Sequence, residues 1–492
     1  MKRLAAALLL SLTAAAPAAA ADFTAPRSLT GWGTYADQPV AAPGAAAWLQ
    51  CGDVWLSRGG RAPVRLPAGG AQQLRVAPAD GRVTVAWVED AERVRRSDGS
   101  GATTIAGTMA RIRTLAATPA AIGWIGVSAS NERKVQIATG DGARTPEQGG
   151  RPSFGLVGAG TADRALFAWH AEDGPVRRVQ LLSVDGDRIG AGRWLTGADG
   201  NATLPGVAMG PDGAAVVAWV AGMPEGRIAA APVAPDGTPG DPQLLSAAPG
   251  GHPHVSIGAD GTAVVAWPAQ GGGVETAVRR PGEARFGAPV TFAPGSAVTG
   301  YSAGVSPAGD VVVAFKDGER TDEPRGGGLV HAAVAPAGEP FGQPAVLDEH
   351  VFALAGAAAT LTWVQGRPQG EYEIDRRVRT ASLLHDVAPG QPDEPGATAD
   401  RAAPKLRLKV LSVRGRRVRI SVRSSERAAL RATWKRGART LRRAGGTLRA
   451  GRTKVLALRA PAGARRVTLT VRATDAAGNT RSARRTVRLR QP

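Results

Sequence analysis

The sequence writes one phrase twice at a fixed interval: PDGAAVVAWVAG at 211–222 and ADGTAVVAWPAQ at 259–270, with matching positions 48 residues apart. This constrains the fold more than any total does, because one such unit cannot bury its own apolar surface and must stack on neighbours. Further copies follow the same plan. RVTVAWVED carries Trp87, AAIGWIGV Trp124, ALFAWHAED Trp169, and ATLTWVQG Trp363, while DVVVAFKDG substitutes Phe315 and GAAAWLQ adds a weaker first member at Trp48. The eight anchors are spaced by 39, 37, 45, 50, 48, 48 and 48 residues. Within TAVVAW, Ala263, Val265 and Trp267 alternate with Thr262, Val264 and Ala266, and both sets are largely apolar. A strand of this kind is expected to be buried on both faces, between two neighbouring sheets. The Trp row is expected to be core.

A whole repeat is clearest at about 250–297. PHVSIG reads as a first strand, Ala259-Asp260-Gly261 as a tight turn whose glycine accepts positive φ, TAVVAW as a second strand, and ETAVRRPGEARFGAPVTFA as two more. Four short antiparallel strands per 37 to 50 residues is the period of a β-propeller blade. The expected fold is therefore all-β, with an eight-bladed propeller over 22–386, or a seven-bladed one if the degenerate first repeat does not count. Outer strands carry FGAPVTFA at 286–293 and FGQPAVLD at 341–348, and FTAPRSLT at 23–30 has the same look. The last repeat lacks that element, so residues 23–30 are expected to complete the final blade and cover the edge an open ring would expose.

On these motifs the region 23–386 resembles the exported β-propeller proteins common in GC-rich Gram-positive bacteria. The resemblance is one of fold and brings no catalytic signature. The turns also invite comparison with sialidase Asp-boxes, but Ser256 lies four residues before Asp260 rather than two, and Trp267 lies too far past Gly261.

The N-terminus reads as a secretory signal over 1–21: Lys2 and Arg3, an apolar run from Leu4 to Thr13, and Ala19-Ala20-Ala21 before Asp22. The apolar run is too short for a bilayer core, which needs roughly 20 residues, and no later segment is long enough either. The expected location is secreted or envelope-associated. The one cysteine, Cys51, excludes an internal disulfide, so packing alone must hold an exported fold. Its thiol is expected to be buried and inert, the alternative being an intermolecular disulfide.

After a Pro/Gly-rich linker at 387–403 the composition changes. Residues 401–492 hold 28 Arg plus Lys against only Glu426 and Asp475, whereas residues 1–400 hold 33 basic and 39 acidic residues. All the excess of a chain with net charge +20 thus sits in its last fifth. KLRLKVLS, RRVRISVRS, RRVTLTVRATD and RRTVRLR alternate aliphatic with basic residues, which predicts about seven strands and a small basic β-sandwich over 404–492. ATDAAGNTRSARRTVRL at 473–489 resembles the last hairpin of bacterial Ig-like and fibronectin-type modules. Arg417, Arg419 and Arg423, then Arg484, Arg485 and Arg488, are the candidate rows for binding an anionic cell-wall or capsular polymer or an acidic lipid surface. The bland alternative is that arginine only solvates this domain. Trp434 is its one aromatic, so nucleic-acid binding by base stacking is not indicated.

Loops after the anchors are longer, more varied and acidic, and function concentrates on such loops. They supply the candidate ligand-binding residues of the propeller mouth: His170, Glu172, Asp173, Asp317, Glu319, Asp322 and Glu371. A solvated rim, or one that docks the chain's own basic domain, is the alternative. His252 and His254 have no third ligand at recognisable spacing, and no phosphate loop, nucleophile elbow or EF-hand is present. No cofactor or metal is expected, and the chain is expected to be a monomer. The leading reading is a non-enzymatic exported binding protein; the alternative is a glycan-active hydrolase or lyase using the acidic mouth.

Overall fold

The computed structural model describes residues 23–383 and 406–489, apart from 25, 32–35, 60, 80–81, 99–100, 106–108, 141, 199, 223–224, 319–326, 358–359, 369–373, 415–416, 425–427, 437–438, 449–452, 461–463, 465 and 475–479. The expected signal segment, the linker, Glu319, Asp322 and Glu371 lie outside the described residues. Two compact units divide the chain, Met1–Asp386 and Val387–Pro492. No helix occurs among the described residues.

In the first unit each anchor sits on the second strand of an antiparallel set. The Trp267 set runs His254–Ile257, Ala263–Pro268, Val274–Arg279, Val290–Phe292, in sheet order. The alternation read from the sequence decides the packing. Ala263, Val265 and Trp267 join Val216, Ala218 and Val220 of the preceding sheet in one core, while Val264 and Ala266 join Val311, Val313 and Phe315 of the following sheet in another. Each sheet is therefore a layer between two others. The same rule holds at Trp87, Trp124, Trp169, Trp219, Phe315 and Trp363, which all pack toward the sheet before their own. Trp48 packs on Val364 and Val378 of the last sheet, so the first sheet meets the last and the arrangement closes on itself.

The turns repeat at the level of single atoms. Gly261 adopts φ +87° and Gly213 φ +84°. In one turn the Thr262 amide donates to Asp260 Oδ1 (3.0 Å), and in the other the Ala214 amide donates to Asp212 Oδ1 (3.0 Å). A side chain at these glycines would be strained whatever the space, so Gly261→Ala is expected to destabilise by about 1 kcal/mol or more, measurable as a lower urea midpoint with unchanged slope.

The ring is joined at the expected place. Arg27–Ser28 pairs antiparallel with Ile374–Ser382, placing Arg27 opposite Thr380, and Phe23 bridges to Leu383. The Thr24 and Leu29 amides donate to the carbonyls of Ser382 (2.9 Å) and Val378 (2.8 Å). One continuous strand, Ala345–Ala357, first pairs with Gly328–Ala335 and then with Thr360–Pro368, fusing the last two sets into a seven-stranded sheet.

Cys51 departs from its expectation: it is exposed. It forms, with Gly52, the two-residue turn between Ala45–Gln50 and Asp53–Arg58, with φ of +52° and +83°. Such a turn is the tip of the hairpin: the Gly52 carbonyl accepts from the Gly70 and Ala71 amides, while the Cys51 side chain stays in solvent. The native protein should therefore react with a thiol reagent in one stoichiometric phase without denaturant; a thiol that labels only on unfolding would contradict this placement.

The second unit is a sandwich of two sheets. Leu406–Arg414, Arg417–Ser424 and Thr453–Arg459 form one, and Arg439–Leu448, Ala428–Arg436, Arg466–Thr474 and Thr480–Arg488 the other. Val418, Ile420 and Val422 of the first meet Trp434, Leu469 and Val471 of the second in a common core.

Candidate functional site

His170, Glu172 and Asp173 do not lie on a loop. They continue the strand Arg164–Asp173 past Trp169, and the turn begins only at Gly174. The strand is prolonged because its edges stay paired: His170 stands opposite Phe154 and Val179, and Glu172 opposite Arg151 and Arg177. Glu172 lies 3.8 Å from the Arg133 guanidinium, and Asp173 2.7 Å from that of Arg178. Asp317 ends Val311–Asp317 on a sheet three positions further round. It accepts from the Leu329 amide (2.7 Å) and contacts His331 Nε2 (3.0 Å). These carboxylates are thus held within their own neighbourhoods and do not converge on one another.

His170 is 5 % exposed, and its Nδ1 is buried without a hydrogen-bond partner among the described residues. Burial, with the nearby Arg177 charge adding to it, lowers its pKa from 6.5 to about 4. The histidine is neutral when folded and binds a proton on unfolding between these values. Stability is therefore expected to fall as pH drops from about 6.5 toward about 4, by up to about 1.4 kcal/mol per pH unit, and to be insensitive to this group above. His170→Gln should flatten that part of a urea-midpoint profile; an unchanged profile would contradict it. His254, also lowered to about 4 by burial, accepts from the Ala303 amide through Nδ1 (3.3 Å), so that nitrogen is occupied structurally.

The residues that sequence reasoning passed over lie on the first strand of each set, which contacts the first strand of the next set and is the innermost of its sheet. Register shifts interrupt seven of these strands among the described residues, including those between Gln72 and Arg75, Thr203 and Gly206, and Val298 and Gly300. Bulges of this kind turn side chains out of the ladder. A side chain on an innermost strand that neither neighbouring sheet covers opens toward the axis or its rim. Gln38, Arg113 and Thr299 are exposed there, and Phe154 is 48 % exposed with the Arg133 guanidinium 5.5 Å from its ring. A faint signal exists: Leu204, His252 and Gly300 each precede a turn glycine by nine residues.

Cavities open at the opposite end, between sheets on the face bearing the Asp-Gly turns. One of about 430 Å³ lies between the Trp87 and Trp124 sheets, lined by Thr84, Thr103, Thr118 and Thr139. Another, of about 350 Å³, lies between the Trp124 and Trp169 sheets beside Arg144 and Asp187. A third, of about 280 Å³, lies between the Trp169 and Trp219 sheets.

In the second unit Arg419, Arg423, Arg484, Arg485 and Arg488 are exposed, while Arg417 is placed by register opposite Arg414 and Arg459. The two rows do not form one surface. Arg419 and Arg423 share the outer face of the three-stranded sheet with Arg407 and Lys409, whereas Arg484 and Arg488 lie on the outer face of the other sheet with Arg466. Arg485 stands opposite the buried Leu469 and so belongs to the other side of its edge strand. Adjacent strand residues point to opposite faces, which separates it from Arg484.

No protein-family model matches the sequence, and no curated protein does either. Solved structures resemble it. The β-propeller domain of the Trilobed protease from Pyrococcus furiosus aligns with a TM-score of 0.40 at 12% identity, over 64% of this chain and 98% of that one. The BP39L lectin from Burkholderia pseudomallei gives 0.37 at 13% identity, over 75% and 95%. The six-bladed propeller of Aleuria aurantia lectin gives 0.31 at 12% identity, over 63% and 93%. The resemblance is to β-propellers. It extends to the fold and no further.

Proposed function

We propose that the chain is an exported, non-enzymatic binding protein: an eight-bladed propeller presenting a ligand surface, and an Ig- or fibronectin-type sandwich attaching it to an anionic polymer of the cell surface. Eight blades are supported by the eight buried anchors and by the packing of Trp48 on Val364 and Val378. The observation that carries the attachment role is like charge placed against like charge. Arg407 stands directly opposite Arg423, and Arg466 directly opposite Arg488, all four exposed, in a domain whose acids number two. Such pairs repel and cost stability, and an external polyanion relieves that repulsion while releasing its own counterions.

The test measures binding of the full chain to an acidic polysaccharide and to anionic vesicles across a salt series. Affinity should fall steeply between about 50 and 500 mM salt. Replacing Arg407, Arg419 and Arg423 with Ser should weaken it roughly tenfold or more and reduce the salt dependence. Binding indifferent to salt, or unchanged in the triple variant, would remove the attachment role. The mouth carboxylates among the described residues support binding over hydrolysis because they do not converge as an acid and base pair: Glu172 and Asp173 leave one strand on opposite faces, and Asp317 lies on another sheet. Turnover of a glycoside panel that Glu371→Gln or Asp322→Asn abolishes would reverse that preference.

A further inference from the structure

The clefts between successive sheets are built alike but not finished alike. Between the Trp267 and Phe315 sheets the cleft is closed by Arg280, whose guanidinium donates to the carbonyls of Gly309 (3.2 Å), Pro336 (3.3 Å) and Glu339 (2.9 Å). Between the Trp169 and Trp219 sheets the equivalent carbonyl, that of Pro235, receives Arg164 Nη1 (3.2 Å). There the cleft stays open as the cavity of about 280 Å³, with Arg188 and Arg193 in its lining.

The charges in this cavity are unevenly committed. Asp236 accepts from the Thr238 amide (2.8 Å), and this hydrogen bond holds its carboxyl below the usual range. Asp185 lies 3.6 Å from Arg164 Nε. Arg188 and Arg193 are exposed, and no side-chain hydrogen bond holds either guanidinium among the described residues, although the Arg193 charge also acts on Asp236 and Arg188 stands opposite Asp185 in register. Three guanidiniums thus face two carboxylates in this cavity, an excess of positive charge, and a guanidinium is the donor best matched to a carboxylate. The rest of the lining is a floor of Leu166, Ala215 and Met209 with the exposed hydroxyl of Ser183 above. An apolar floor meets the C–H face of a sugar ring, and hydroxyl, carbonyl and guanidinium groups meet its edge. Ligand pockets begin at roughly 300 Å³, so the space suits a single small unit.

We infer that the cleft between the Trp169 and Trp219 sheets binds one carboxylate-bearing sugar residue of an acidic polysaccharide, with Arg188 and Arg193 holding the carboxylate. The inference rests on the propeller being a binding platform and names its ligand class. A polymer anchored by the basic sandwich would be read, one residue at a time, by this cleft. The two neighbouring cavities, in successive clefts of the same face, would extend the track for the same chain.

The experiment uses the full chain in the Arg407→Ser, Arg419→Ser, Arg423→Ser background, so that the sandwich contributes little. The probes are a galacturonic acid trisaccharide, its fully methyl-esterified form and inorganic phosphate, read by calorimetry and by hydrogen exchange of residues 183–193 and 233–237. The acid form should bind and protect both segments. Arg188→Gln with Arg193→Gln should lower its affinity about tenfold or more, and the ester and phosphate should bind far more weakly. Equal binding of acid and ester, equal competition by phosphate, protection elsewhere, or indifference to the double substitution would each overturn the inference. The attachment role fails separately: polymer binding lost in the sandwich variant with no trisaccharide protection leaves attachment standing and the cleft refuted, and the reverse pattern does the opposite.

Discussion

Replacing Trp267 with alanine is expected to destabilise the first unit by about 3–5 kcal/mol, the largest effect of any single substitution considered. The indole is fully buried between two sheets, in one core with Val216, Ala218 and Val265. Its Nε1 donates to Glu275 Oε2 (2.7 Å), so truncation also leaves a carboxylate facing a void. Trp267→Phe keeps most of the volume and loses only that hydrogen bond; it should cost about 1–2 kcal/mol. Urea unfolding of the two variants, followed by circular dichroism, separates packing from hydrogen bonding. An alanine variant within about 0.5 kcal/mol of the parent would mean the tryptophan segments are not wedges between sheets.

Removing residues 22–30 should be nearly as damaging and differ in kind. Phe23 would leave the core that holds Trp363 and Leu383, and Ile374–Ser382 would become an open edge. The lost burial alone amounts to roughly 2–4 kcal/mol, and the unpaired strand offers a template for other chains. The expected outcome is a lower melting temperature together with concentration-dependent association in sedimentation. A variant equally stable and sedimenting as the parent does would show that the joint at Arg27–Ser28 is dispensable. Phe23→Ala, which removes the side chain but keeps the strand, should lower stability without causing association.

The architecture was legible because two periods coincide in the sequence. The period of two within TAVVAW assigned Val264 and Val265 to opposite faces, and the period near 48 assigned those faces to different neighbouring sheets. The joint at residues 23–30 could be read because one outer-strand phrase was missing from one end and present at the other. The limits of strands were not legible. Only Ala171 in His170-Ala171-Glu172-Asp173 is apolar, and what extends the strand is pairing on both edges, with Val176 across its own hairpin and with Arg151 some twenty residues upstream. Cys51 was misassigned because thiols are usually buried, while the turn chemistry of Cys51-Gly52 spoke more strongly. The open cleft was invisible for a third reason: Arg188 and Pro235 come from different repeats, and only the stacking of consecutive sheets brings their turns face to face.

Any chain segment that follows residue 383 pulls on the strand that residues 27–28 border. Tension entering there runs along that strand, across its ladder, so several backbone hydrogen bonds share the load in shear instead of opening one after another. The next strands inward are continuous with the preceding sheet through Ala345–Ala357. The point where the circle is joined is thereby also where a load on the following chain enters the fold.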